Sequence, residues 1–197
     1  MPRAILLLCA MLLTSACRVE NRSGSSAATV ASGVGQYGIG HAATAADVAA
    51  FDNDVSPSGA GLPPGRGDAV SGATLYRTHC ASCHGNKGEG IAPNPALVGR
   101  DPRDGFPFGT DPALVRTVGN YWPHATTLFD YIRRTMPLSA PGSLRDDEVY
   151  SLTAFLLAAN EVIPPDGGLD SASLVAVRMP ARDRFVPDDR KGGREIR

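Results

Sequence analysis

The chain has 197 residues, a formal net charge of −1 at pH 7, and 43% hydrophobic against 20% charged residues. That balance excludes a membrane bundle and a charge-rich disordered chain, and near-neutrality gives no electrostatic reason to bind nucleic acid. With 22 glycines, 16 prolines and only 6% aromatic residues, the composition predicts one loop-rich domain whose core needs a filler other than aromatic side chains.

Residues 1–16 read as a signal peptide. One arginine, an apolar run from Ala4 to Leu13 and then small residues match its charge and flanks, and the run is too short for a stable bilayer span. The following "LTSAC" resembles a bacterial lipoprotein cleavage box with Cys17 as the lipidated residue, although Thr14 stands where leucine is usual. Ordinary cleavage nearby is the other reading. Both place the mature protein in the periplasm, with membrane contact only through a lipid on Cys17. Residues 17–66 read as a Gly/Ala/Ser/Pro-rich flexible tether and extension.

The compact domain is expected over residues 67–160. Ala69–Cys83 carries Val70, Ala73, Leu75, Tyr76 and His79 at mixed helical spacing, and Gly72 would let a second helix approach closely. This first helix leads into "HCASCH". Of four cysteines, Cys9 lies in the signal and Cys17 at its end, which leaves Cys80 and Cys83. Zinc would need two further ligands at matching spacing, and a redox CxxC belongs in a strand-rich βαβ setting. Neither explains His84. CxxCH is the attachment signature of c-type haem, in which both cysteines form thioethers and the histidine is the proximal iron ligand. His79 is read as a surface residue.

Next comes the turn "PNPALVGR", where the Pro95 carbonyl is expected to hold the non-ligating nitrogen of His84. Tyr121 and Trp122 are candidates for hydrogen bonds to haem propionates or for packing on the porphyrin. "TTLFDYIRRTM" predicts a helix with Thr127 as N-cap and Asp130 three residues on. Met136 follows it, stiffened by Pro137, and is the expected sixth iron ligand, since His/Met pairing marks electron-transfer cytochromes. Met179 is the backup, placed in a tail outside the compact region; His41 and His124 are further alternatives in principle. "SLRDDEVYSLTAFLLAAN" predicts a last helix with Ser143 as N-cap and Asp146 at the capping-box position. Its Val149, Leu152 and Leu156, with Phe155 beside them, would pack on the first helix. The acids Asp146, Asp147 and Glu148 are read as helix-terminus partners, not as a catalytic cluster. Arg133 and Arg134 are read as solvated, or as partners of propionates or an acidic patch. Residues 161–197 form a C-terminal extension. The expected fold is all-α with no sheet of any size, built around one covalent haem, with long irregular extensions at both ends.

Together, Cys80–His84, the Pro95-x-Leu97-x-Gly99 turn, Met136-Pro137 and the last helix resemble class I cytochrome c. Longer blocks, such as "TVGNYWPHATTLFDYIRRTMP" and "VRMPARDRFVPD", resemble the monohaem cytochrome subunits of periplasmic sulfite dehydrogenases and the cytochrome module of the Sox sulfane dehydrogenase. The similarity runs over about residues 37–190, with His124 where tyrosine is usual and Phe51 where tryptophan is usual. The Sox subunit has a second haem module without a counterpart in these residues, so the single-haem type is the nearer resemblance. It implies a single-electron carrier that is not itself an enzyme and has no catalytic residues. Its donor would be a molybdenum-cofactor dehydrogenase acting on sulfite or a related sulfur compound. Its acceptor would be another cytochrome or a terminal oxidase. The alternatives are a generic carrier for another dehydrogenase, or a haem enzyme or sensor if Met136 is not a stable ligand. The resemblance also implies that Tyr37–Gly67 and Val177–Pro187 lie against the cytochrome or a partner subunit, which leaves Arg18–Gln36 as the tether and "RKGGREIR" loose and basic.

Overall fold

The computed structural model describes residues 40–186. The signal peptide at 1–16, Cys17, the Arg18–Gln36 tether and the terminal "RKGGREIR" lie outside the described residues. In chain order the elements are helix α1 (Ala45–Phe51), strand β1 (Arg66–Asp68), helices α2 (Ala69–His79), α3 (Ala81–His84), α4 (Ala125–Thr135) and α5 (Asp146–Ala159), strand β2 (Gly168–Asp170) and helix α6 (Ser171–Ala176). Short 3₁₀ turns lie at Pro107–Gly109 and Arg182–Arg184. The fold is all-α; among the described residues the strands amount to one antiparallel pair that aligns Arg66 with Asp170 and Asp68 with Gly168. From Ala46 onward the described elements belong to one compact unit.

Helix α5 is the centre of it. Val149, Tyr150, Leu152, Ala154, Leu156 and Leu157 are all buried, together with Ser151 and Thr153. The expected Val149–Leu152–Leu156 stripe is therefore only part of the covered surface. α5 meets α2, α4 and both strands, and a helix covered on several sides has little polar face to show. Its polar residues turn inward onto their own backbone: Thr153 Oγ1 donates to Val149 O at 2.7 Å and Ser151 Oγ to Asp147 O at 2.9 Å.

Helix α2 buries Ala69, Gly72 and Tyr76, at i, i+3 and i+7. Val70 and His79 point outward instead of lying on the packed stripe. A Cβ on Gly72 would lie 1.9 Å from Ser151 O and 2.8 Å from Phe155 Cβ. The glycine thus sets how closely α2 and α5 approach. Asp68 caps α2 by accepting from Ser71 N at 2.8 Å. The helix stops at His79 rather than running through Cys83, because Cys80 leaves helical geometry and α3 begins anew as one turn.

Two caps differ from the expectation. α4 begins after His124, so Thr127 lies inside the first turn, where its hydroxyl donates to His124 O at 2.8 Å. α5 begins after Arg145 rather than Ser143, and Glu148 rather than Asp146 reaches back to accept from Arg145 N at 2.9 Å. Each of the three acids has a partner: Asp146 takes Arg133, Asp147 takes Arg66 N, and Glu148 takes Arg145.

The flanks correct a larger point. Met179 is not outside the compact region. It is buried in the core, as are Leu169, Leu174 and Ala181 of the C-terminal extension and Val55 of the N-terminal one. Apolar residues spaced through Gly/Pro-rich chain have no periodicity to reveal them, yet they are buried with the helical core.

Candidate functional site

Cys80 and Cys83 are free thiols at the junction of α2 and α3, Cys80 half-buried and Cys83 exposed. Burial, with the neighbouring Cys83 thiol, pushes Cys80 up to about 11. The chain then folds back on itself. Gly90 N donates to His84 O at 2.8 Å, Ile91 N to Cys83 O at 3.2 Å, and Leu97 N and Val98 N both reach Gly88 O. Gly85, Gly88 and Gly90 all have positive φ, the left-handed backbone such a tight reversal needs. The result puts Pro95 O 2.9 Å from His84 Nδ1. A carbonyl can only accept, so Nδ1 carries the proton and Nε2 is left with its lone pair, the form that binds a metal.

Two residues that sequence reasoning missed hold this loop to the scaffold. Buried Tyr76 donates to Gly85 O at 2.9 Å, and burial first, then Cys80 and Glu89, pushes its hydroxyl up to about 12. Asn160, buried at the end of α5, accepts from Gly99 N at 2.9 Å and donates to Leu97 O at 3.1 Å and Leu156 O at 2.8 Å. An asparagine closing an apolar helix was the available signal.

Met136 is the C-cap residue of α4, its N–H donating to Ile132 O at 3.0 Å, and its half-buried side chain packs against the core. Leu97, Val98, Trp122 and Leu144 pack against the same core without being fully covered. The helix behind Met136 is held by Asp130, whose carboxylate accepts from Arg134 and, at 2.8 Å, from Val55 N. Burial pushes Asp130 up, but the bonds from Arg134 and Val55 outweigh it and hold the group below its ordinary value.

The cytochrome c family profile matches residues 69–160. The sulfane dehydrogenase SoxCD of Paracoccus pantotrophus contains a chain 39% identical to this one, with a TM-score of 0.67 and an alignment covering 77% of this chain and 72% of that one. The chain belongs to the cytochrome c family. This cytochrome is also 33% identical over 90 residues to the thiosulfate dehydrogenase of Allochromatium vinosum, a match covering 46% of this chain. That match spans about a third (31%) of the relative's length.

Family membership implies covalently bound haem c, and the residues present fit it. Two unpaired thiols three residues apart, an imidazole oriented through Nδ1, and half-covered apolar side chains are the donor set and lining that such a group requires. Among the described residues no cluster of three His, Cys, Asp or Glu side chains competes as a metal site.

The remaining candidates are dispersed. The Tyr121 ring sits in a cluster with Phe106, Phe108 and Phe185, with the Arg116 guanidinium 5.1 Å from its centre. Trp122 packs edge-on to Tyr131, ring centres 5.8 Å apart. His41 and His79 are exposed. His124 Nδ1 is buried without a hydrogen-bond partner.

Proposed function

We propose that this cytochrome is a periplasmic single-electron carrier, and that the observation carrying this reading is the His84–Pro95 contact beside two free cysteines. Cys80 and Cys83 would form the thioethers, His84 Nε2 the proximal bond and the Met136 sulfur the distal one. Haem c, when bound, supplies the redox centre that takes and releases one electron at a time. Pro95 fixes the imidazole ring, and Tyr121 and Trp122 would donate hydrogen bonds to the haem propionates or pack on the porphyrin. If His84 and Met136 both hold the haem, no position would be left for substrate, which favours a carrier over a catalyst.

The names of its relatives support a place in sulfur-compound oxidation. We place a molybdenum-cofactor dehydrogenase acting on sulfite or a related compound as donor, and another cytochrome or a terminal oxidase as acceptor. The signal-peptide reading supports the periplasm, with a lipid on Cys17 as tether; among the described residues no helix is long and apolar enough to cross a membrane. The test is optical. Oxidised protein is mixed with periplasmic extract from its own source, and sulfite is added. Rapid reduction that needs both extract and sulfite supports the assignment. No reduction, in an extract that still oxidises sulfite with an artificial acceptor, assigns a different donor.

Similarity to a thiosulfate dehydrogenase favours a second reading, in which the chain itself turns over a sulfur substrate. That reading requires Met136 to leave readily. Carbon monoxide binding by the reduced wild-type protein, as ready as in Met136→Ala, would select it.

A further inference from the structure

We propose that the N-terminal segment Asn53–Val55 is a clamp that positions Met136, with Asp130 and Arg133 as its two jaws. The inference rests on Met136 being the sixth ligand. Residues 136–145 join α4 to α5 without a regular element; the described backbone bonds inside them are two turns, Ala140 N to Pro137 O at 2.9 Å and Ser143 N to Ala140 O at 3.3 Å. A loop with so little internal structure takes its geometry from its stem.

That stem is the C-terminal half of α4, and it is gripped from two directions. On one side Asp130, only 9% exposed, accepts from Val55 N at 2.8 Å and from Arg134 Nε at 2.8 Å. On the other, Arg133 donates through Nη1 to Asn53 O at 3.0 Å and through Nε to Asp146 Oδ1 at 2.9 Å. The Arg133–Asp146 pair therefore joins the two ends of the methionine loop, and the same arginine is held by the extension. Val55 itself is buried. Removing the buried carboxylate leaves the Val55 N–H and the Arg134 guanidinium without it, so the stem must rearrange to find other partners. Met136, one residue past that stem, moves with it.

A second contact separates positioning from general support. Tyr150 donates to Pro63 O at 2.8 Å, tying the extension to α5 and not to α4. Loss of either contact should lower the melting temperature. Only loss of Asp130 should loosen the methionine.

The experiment uses the full haem-loaded protein and titrates imidazole into its oxidised form. Imidazole must displace the methionine, so its apparent affinity reports how often that bond is open. Asp130→Ala should bind imidazole about tenfold more tightly than wild type, and Tyr150→Phe within about twofold of it. Asp130→Asn keeps an acceptor for Val55 N and serves if the alanine variant does not accumulate; it should bind about threefold more tightly. Wild-type affinity in the Asp130 variants, with tight binding by Met136→Ala, overturns the clamp alone. Equal affinity of wild type and Met136→Ala removes the methionine ligand, and the clamp with it.

Discussion

The two sides of the proposed haem site are built in opposite ways. On the histidine side, residues 80–99 make their own shape: the bonds Gly90–His84, Ile91–Cys83, Leu97–Gly88 and His84–Pro95 all close within the loop. On the methionine side, the bonds that shape the stem of Met136 run to chain 75 and 80 positions away, from Asp130 to Val55 and from Arg133 to Asn53. Loops closed locally cost little chain entropy and form without the rest of the fold; long-range contacts exist only once the scaffold does. The covalent side should therefore survive damage that releases the methionine.

The strongest way to test this is to wedge the scaffold apart. In Gly72→Val the new side chain would meet the backbone carbonyl of Ser151 in α5, with no flexible side-chain end there to yield. We expect a loss of more than about 3 kcal/mol and a melting midpoint lower by about 10 °C. Haem should still be attached, since Cys80–His84 needs only the local turn, but imidazole should bind at once. Retention of a tight methionine bond in the destabilised variant would break the comparison.

Asn160→Ala acts where the local loop meets the scaffold. It removes the acceptor for Gly99 N and the donors to Leu97 O and Leu156 O from a fully buried site. The expected loss is about 2–3 kcal/mol, read by calorimetry. Unlike the glycine variant, it should leave imidazole affinity near the wild-type value, because its bonds reach the histidine-side loop and its own helix but not the methionine loop.

The same division explains what was legible in the sequence. The Pro95 carbonyl beside His84 and the tight α2–α5 approach at Gly72 were both readable, one from a short local turn and the other from one residue's size, and the proposed attachment at Cys80, Cys83 and His84 rests on the same local spacing. The apolar stripe of α5 was visible by its period, but that it is covered on several further sides was not, since burial there comes from β1, β2 and the extension. Met179 was read as tail for the same reason: it stands in irregular chain, and nothing local says that it returns to the core. The caps at Thr127 and Ser143 were misplaced because His124 and Arg145 end the preceding loops in extended conformation, and tertiary packing outweighs the ordinary preference for Ser and Thr at that position.

Acid should report on the methionine side as well. Asp130 is held below its ordinary value of 3.8 by Arg134 and Val55 N, with Arg133 adding to the positive field. A carboxyl with a depressed folded value contributes stability above its unfolded value and loses it as pH falls through the folded one. Stability should therefore drop as pH falls below 3.8, and Asp130→Asn should drop less steeply over that range. Glu148, Asp68 and Asp170 are also held low by bonds at their own helix ends, so the wild type shares their response with the variant, and the difference between the two curves belongs to Asp130. Coincident curves would mean that the carboxylate carries no linkage to folding.

The smallest effect concerns His124, which opens α4 at the end opposite Met136. Its Nδ1 is buried without a partner, and its side chain caps nothing. Replacing a half-buried ring whose one buried nitrogen is unpaired by an apolar ring of similar shape is close to neutral or mildly stabilising. His124→Phe should accordingly change the stability of the haem-loaded protein by less than about 1 kcal/mol, and in the favourable direction. A loss instead would show that the ring nitrogen does have a partner once haem is attached. The start of α4 would then face the cofactor as well as its end, and the methionine side would be anchored at both ends of one helix rather than through the Asn53–Val55 clamp alone.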